Sequence, residues 1–511
     1  MSNGSFDRFM SLANEPLSNG AMRQGASRIV PVWRDCLLDT DTPVSAFAKV
    51  RRGSFAFLLE SAPAGGETWA RYTFLGTEPQ GAWRLRAGTV EDWNSASGWH
   101  NARTPADPLA DLDSRINSAT PVEVPELGAF WTGAVGYFAY DIVRHIENLP
   151  RRPGDDGLAD SIFIFTRSMI IVDSLRSQAR IVVGVHLRDD ASRSSTDLRE
   201  LFDTASLEID ELQRRLRDPS PLGQLALDSN RAPATGRSSI ERSAFLDAVE
   251  RIREYIFAGD CFQVLLSRRI ELEADFDPVS LYRVLRALNP SPYMYHVVLD
   301  GTEIVGSSPE LLVRKTGNRV TVRPIAGTRR RGVDADEDAQ LTAELLADPK
   351  ERAEHIMLVD LGRNDVGRVA CFGSVEVTEF MQVEKYSHVL HIVSEVEGEV
   401  DSEVTAMEVF RATFPAGTMT GAPKVRAMEI IDELEPVARG AYAGAVGYIA
   451  SGGQRMDLAI TIRTCIISGG VASVQAGAGI VADSVGEREW EETENKAGAL
   501  LTAIARVRAS G

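Results

Sequence analysis

The sequence predicts an α+β fold of antiparallel sheets packed together, with helices outside. Three observations carry this prediction. Short alternating apolar runs, such as SFAFLLES (Ser54–Ser61) and SIFIFTRSMIIVD (Ser161–Asp173), favour strands in the N-terminal part. The C-terminal part interleaves amphipathic helical periodicity with further strand-like runs. No internal repeat is evident, and 511 residues allow roughly two to four average domains or one large intertwined unit.

Residues 1–28 carry acidic groups and no apolar core, and read as a mobile tail rather than a secretory signal or transit peptide. Residues 29–217 form an N-terminal part of strands that ends in a helical stretch, Ser195–Leu216, rich in Glu, Leu and Arg. Residues 218–239, with three prolines and several Gly and Ser, read as a surface linker. Residues 240–511 form the second part. Ser238 and Glu241 have capping-box spacing, and Phe245, Val249, Ile252 and Ile256 follow at helical intervals to Gly259. Cys261–Glu271, Gly444–Ala450, Ala459–Ile467 and Val471–Ala476 read as strands. Glu403–Phe410, Ala422–Leu434 and Glu487–Arg508 read as helices.

Hydrophobic content of 44% with 25% charged residues is that of an ordinary globular protein. No apolar run is long enough for a membrane span. The net charge of −18 argues against nucleic acid as a partner. The same charge makes long-range steering of an anionic substrate unfavourable, so local arginines or a metal must reverse the field. Four widely spaced cysteines, Cys36, Cys261, Cys371 and Cys465, form no CxxC pair, and a reducing cytoplasm is the simplest setting.

Several residues carry chemistry by type and spacing. Glu351 and Glu354 lie three apart on one helix face, and Glu489 and Glu492 repeat that spacing. They are either solvated faces or, brought together, hard oxygen ligands for Mg²⁺. Gly327–Thr328 and the Gly477–Gly479 run read as loop glycines, suited to a tight turn or to close backbone approach by a carboxylate. GTMTGAPK is not a P-loop: its spacing is wrong, and Pro423 removes an N–H donor. Arg463 sits among apolar neighbours, where a substrate carboxylate or a structural ion pair would equally satisfy it. His388 and His391 form an HxxH with no third zinc ligand nearby, so structural histidines are the default.

Four motifs occur in one order: PIAGT (Pro324–Thr328), AEHIMLVDLGRND (Ala353–Asp365), PAGTMTGAPK (Pro415–Lys424) and AGAGIV (Ala476–Val481). Together they resemble the chorismate-utilising enzymes, most closely the family of anthranilate synthase large subunits (component I). The resemblance is strong from about Ser238 onward and recognisable over about Val30–Pro79. It departs at Arg330, where Pro is usual, and at Ala443, where Gly is usual.

The resemblance implies the large intertwined chorismate-utilising-enzyme fold and conversion of chorismate and ammonia to anthranilate and pyruvate. That reaction is the first committed step of tryptophan biosynthesis. Glu354 and Glu492 would hold Mg²⁺ directly, with Glu351 and Glu489 bound through water. Tyr442 and Arg463 would bind a chorismate carboxylate, with Gly327, Thr328, Thr418, Gly477 and Gly479 lining the pocket. Lys496 would neutralise local charge or pair with Glu492. Glu310, in SSPELLV, would protonate the departing C4 hydroxyl, and His391 would lie beside the ring and the leaving pyruvate. His388 is left as structural.

Gln263 stands where relatives that add water at C2 carry a lysine base, which favours amination. Ala326 stands where relatives aminating at C4 commonly carry a lysine nucleophile, so addition at C2 is the simpler route. No GxCxGxQ-like glutaminase turn occurs, and the resemblance implies a separate glutamine amidotransferase subunit (component II). It also implies a tryptophan inhibitor site built from Glu60, Ser61, Arg71, Asn289, Pro292, Tyr293 and Met294. Aminodeoxychorismate synthase, another aminating relative, and a non-catalytic metal- and anion-binding sensor remain as alternatives.

Overall fold

The computed structural model describes residues 5–15, 27–61, 71–128, 130–150, 157–187, 194–226, 231–386 and 389–510. Among the described residues the strands form two sheets, one of 13 strands and one of 12, with helices outside them. This is the expected α+β architecture, and the sheets are overwhelmingly antiparallel. Only the pairing of Ser27–Leu37 with Ala119–Pro121 is parallel among the described residues.

Each sheet is assembled from both parts of the sequence. In the larger sheet, Tyr293–Leu299 pairs antiparallel with Phe55–Glu60. In the smaller one, Ala445–Ala450 pairs with Gly133–Phe138. Each part therefore supplies a strand edge that the other part covers, which leaves no free edge at either junction. The 29–217 and 240–511 segments are divisions of the sequence, and their strands are intertwined in space.

The main core lies between the sheets. Phe57, Val297 and Val305 of one sheet and Val135, Tyr137 and Val446 of the other belong to a single buried cluster. Ring contacts cross the layer directly: Phe55 meets Trp93 at 4.7 Å between centroids, and Phe74 meets Tyr448 at 5.9 Å. Alternation along the strands turns these side chains inward.

Several local expectations change. Ser161–Asp173 splits at Thr166–Arg167: Ser161–Phe165 lies in the smaller sheet and Ser168–Asp173 in the larger. Ala459–Ile467 likewise divides into Arg455–Ile460 and Thr464–Ser468, strands of different sheets. An apolar run reads the same whether it continues or crosses between layers, so the break is invisible to pattern. The helix Arg242–Ala258 is capped at Glu241 with no side-chain cap bond, so the Ser238–Glu241 box does not form; Ser238 is a strand residue. Gly259 ends that helix with a left-handed φ of 88°, as expected.

Within the segment read as a mobile tail, Phe6–Asn14 is a helix capped by Ser5. Phe9 and Leu12 are buried, and Phe6 and Phe9 contact Phe202 of the helix Ser195–Arg217. Short as it is, this segment has apolar residues on one face and a surface on which to bury them. Residues 1–4 and 16–26, and His388, lie outside the described residues.

Candidate active site

The break between the strands Arg455–Ile460 and Thr464–Ser468 creates the first feature of the site. Arg463 occupies it in the left-handed region, with φ of 49°. Its side chain is half-buried, and desolvation lowers its pKa against the opposing influence of Tyr386 and Glu310. Among the described residues no hydrogen bond or ion pair engages its guanidinium. A structural ion pair, one of the two partners expected for it, is therefore not found there. A half-buried cation without an ion pair calls for an anionic partner.

Glu310 lies within electrostatic reach of Arg463. It is 8% exposed, and burial pushes its carboxyl up to about 7. The Thr418 hydroxyl, on the short helical turn Gly417–Met419, donates to Glu310 Oε1 at 2.9 Å; that bond, Arg463 and Lys496 oppose the rise. With a pKa of about 7 the carboxyl keeps a substantial protonated fraction near physiological pH, as a proton donor requires. Glu310, Thr418, Arg323 and Asp365 help to line a cavity of about 40 Å³.

His391 is buried on the strand Val389–Glu399, opposite Thr328 of Ile325–Arg330. Its Nδ1 lies 3.0 Å from the Gly327 carbonyl and 3.2 Å from Thr328 Oγ1. A carbonyl only accepts, so Nδ1 carries the proton, and Nε2 keeps a free lone pair. Burial pushes this imidazole down to about 4, leaving it neutral. Ala326 sits beside it, opposite Ile392.

The glycines belong to strands, not to the loops expected of them. Gly477 and Gly479 lie inside Val471–Ile480, opposite Ser267 and Leu265. Gly327 lies in Ile325–Arg330, at φ of 68°, where the register with Val389–Glu399 shifts. Contact explains all three. A Cβ at Gly477 would lie 2.8 Å from the Leu266 carbonyl and 3.1 Å from the Tyr442 hydroxyl, and one at Gly479 would lie 2.5 Å from Gln263 Nε2. A Cβ at Gly327 would meet Glu351 Oε2 at 3.2 Å. Gln263 and Tyr442 are both buried, and among the described residues the Tyr442 hydroxyl has no hydrogen-bond partner.

The carboxylates come from two helices, Pro349–Gly367 and Gly486–Ser510. Burial raises the Glu354 pKa, and the nearby Glu351 and Glu492 carboxylates raise it further. Burial also raises Glu489; the Ser484 bond opposes this, and Glu492 adds to it. Partial compensation is present: Arg329 pairs with Glu351 at 2.8 Å, and Lys496 pairs with Glu492 at 2.7 Å. Lys496 also donates to the Gly477 carbonyl at 3.0 Å, so it links this cluster to the pocket wall.

Crowded hard-oxygen donors suit Mg²⁺, which takes few protein carboxylates and completes its shell with water and substrate oxygens. Among the described residues no group of three or more His, Cys, Asp or Glu side chains could hold a metal by itself.

The expected inhibitor elements meet at the junction of the two sequence parts. Met294 lies opposite Glu60 across the strand pair. Glu60 is buried and is held by Tyr282 at 2.9 Å and by Arg286 at 2.6 Å. The Asn289 carbonyl accepts from Ser307, and the Tyr293 hydroxyl accepts from Arg314 at 3.0 Å. Ser61 directly follows Glu60, and Pro292 precedes Tyr293. Arg71 is committed to Asp173, at 2.7 Å.

Two charged groups of the site framework carry no mark in the sequence. Lys424 pairs with Asp365 at 2.6 Å, joining the PAGTMTGAPK and LGRND motifs. Arg439, fully buried against Glu435, is the other. Neither stands out locally as more than an ordinary surface charge.

This fold and this site define a class. A family profile for chorismate binding enzymes matches residues 57–502, and the chain belongs to that family. It is 46% identical to anthranilate synthase component 1 of Acinetobacter calcoaceticus over 487 residues, 93% of this chain and 95% of that one. It is 44% identical to the namesake from Acetivibrio thermocellus, over 93% and 95% of the two chains. Among solved structures it is similar to anthranilate synthase component I from Streptococcus pneumoniae TIGR4. That match has 37% identity and a TM-score of 0.72, and covers 85% of this chain and 93% of that one. The menaquinone-specific isochorismate synthase from Escherichia coli, 20% identical with a TM-score of 0.66, shares the fold over 97% of this chain and 99% of its own.

Proposed function

We propose that this chain is the chorismate-aminating component of an anthranilate synthase, converting chorismate and ammonia to anthranilate, pyruvate and water. The observation that carries the reading is a buried Glu310 carboxyl, raised to about 7 and bonded by the Thr418 hydroxyl, in electrostatic reach of an Arg463 guanidinium that no hydrogen bond or ion pair engages among the described residues.

The residues support each step. Arg463 and Tyr442 take a substrate carboxylate. Glu310 gives its proton to the C4 hydroxyl, which leaves as water. Ammonia adds at C2 as the ring double bonds shift toward C4, and the ammonium so formed releases one proton, which balances the one given up by Glu310. Gln263 cannot activate water as a lysine would, and Ala326 cannot bond to the ring. Nε2 of His391 takes the C2 proton of the aminated diene and the C3–O bond breaks. The departing enolpyruvyl group is protonated at its methylene carbon to give pyruvate.

Glu354 and Glu492 are the residues that would bind Mg²⁺ directly, with Glu351 and Glu489 through water. When bound, the ion would neutralise these carboxylates and a substrate carboxylate. Ammonia would come from a glutamine amidotransferase partner in the cytoplasm, a setting in keeping with four free cysteines. Tryptophan would inhibit from the Glu60–Met294 junction, with Ser61, Arg71, Asn289, Pro292 and Tyr293 around it.

Incubation with chorismate, Mg²⁺ and an ammonium salt tests the reading. Fluorescent anthranilate and pyruvate should appear in equal amounts. A 4-amino isomer, an aminated product that keeps its pyruvyl group, or no turnover would each overturn it.

A further inference from the structure

Arg439 is a fully buried side chain that belongs to no expected site. Its guanidinium makes four hydrogen bonds into separate parts of the chain. Nε and Nη2 donate to the Glu435 carboxylate at 2.9 and 2.7 Å. Nη1 donates to the Met419 carbonyl at 2.7 Å, and Nη2 also donates to the Leu265 carbonyl at 2.9 Å.

Each contact borders a residue of the pocket. Met419 follows Thr418, the donor to Glu310. Leu265 lies two residues from Gln263 on the same strand, opposite Gly479. Glu435 accepts from the Ser267 amide and hydroxyl, at 2.8 and 2.7 Å, and Ser267 lies opposite Gly477. Tyr442 lies three residues on from Arg439, with its ring centroid 5.9 Å from the guanidinium carbon. Arg439 and Tyr442 also help to line a cavity of about 20 Å³ with Thr461, whose hydroxyl has no partner among the described residues.

We propose that Arg439 is a positioning residue that fixes the Thr418 turn, the Gln263 strand and the Tyr442 wall at the separation chorismate requires. A structural salt bridge needs only Glu435. Bonds to two main-chain carbonyls from two other elements add a spacing function, because a planar guanidinium reaches all of them at fixed angles and an ammonium does not. The inference rests on the reading of the site as chorismate-aminating.

The test is Arg439→Lys, which keeps a cation beside Glu435, together with Glu435→Gln. Both are assayed with chorismate, Mg²⁺ and ammonium. Both proteins should fold, with kcat at least about tenfold below wild type. Misplacing Thr418 also weakens its bond to Glu310. Because that bond lowers the Glu310 pKa, the alkaline limb of activity should move to higher pH. Arg463 and Lys496, the charged groups that act on Glu310, are untouched by either change. A Thr418→Val control should move the limb in the same direction.

If one variant fails to fold, the other decides. A folded variant with kcat, KM and pH limb within twofold or a few tenths of a pH unit of wild type would overturn the inference. Failure of both to fold would also overturn it, by making Arg439 a folding residue. An inactive wild type would refute the functional reading instead.

Discussion

Glu310→Gln should abolish turnover and yet stabilise the protein above neutral pH. Glutamine keeps the shape, and its Oε1 still accepts the Thr418 hydroxyl, now 2.9 Å from Glu310. The substitution therefore isolates the ionisation. Burial raises the carboxyl from an ordinary 4.5 to about 7. At about 1.4 kcal/mol for each tenfold change, ionising it inside the fold costs about 3 kcal/mol. The sign follows from linkage. The folded pKa lies above the unfolded one, so Glu310's favourable contribution is complete below about pH 4.5 and is lost as pH rises through about 7. For a chain of 511 residues the unfolding entropy is roughly 1 kcal/mol per degree, so the variant should melt about 3 °C higher at about pH 8. Below about pH 4 the two proteins should melt together. Denaturation midpoints across this range, with turnover measured in parallel, provide the assay. A melting difference that does not depend on pH, or a variant that still makes anthranilate, would refute the reasoning.

Glu354→Ala and Glu492→Ala should each abolish Mg²⁺-dependent turnover while circular dichroism stays native; unchanged activity and Mg²⁺ affinity in both would rule out these ligands. Gln263→Lys should depress ammonia-dependent turnover at least about tenfold, since a cation at that wall repels ammonium and fills space beside Gly479; full retention would remove Gln263 from the ammonia path. Tryptophan at about millimolar concentration should inhibit the wild type, and Ser61→Phe should lose that inhibition while keeping activity. A wild type insensitive to tryptophan would show that the Glu60–Met294 junction is only a sheet contact.

Much of the site was legible because its chemistry is written in side-chain types at fixed spacing. Glu351 with Glu354, and Glu489 with Glu492, lie where helical periodicity predicts, on two helices whose carboxylates share one electrostatic field. The backbone around the pocket was less legible. Arg463 read as a strand residue because its neighbours are apolar, yet the chain changes sheets there at a left-handed φ. Gly477 and Gly479 read as loop residues because glycine marks turns. They lie in a strand because Leu266, Tyr442 and Gln263 leave no room for a Cβ. Arg439 gave no signal, because its partners at 265, 419 and 435 are set by the tertiary fold. The capping box at Ser238 failed for the opposite reason: the spacing is right, but pairing with Glu271 and Ile270 holds Arg237–Ser238 in a strand.

The net charge of −18 posed a difficulty for a protein that takes an anionic substrate. The site meets it locally. Burial raises the Glu310 pKa to about 7, so it adds less negative charge to the pocket than an ordinary carboxylate would. Arg463 contributes a cation that no ion pair engages among the described residues. Lys496 reaches from Glu492 to the Gly477 carbonyl and so holds positive charge at the boundary between the carboxylate cluster and the pocket. The remaining repulsion among Glu351, Glu354, Glu489 and Glu492 is the kind that a divalent cation relieves. A long-range field that repels the substrate and a short-range field that accepts it are compatible, because screening over about 8–10 Å at physiological salt separates the two. Binding strength is then set by the few groups inside that distance, and these come from both sheets and from the helices Pro349–Gly367 and Gly486–Ser510.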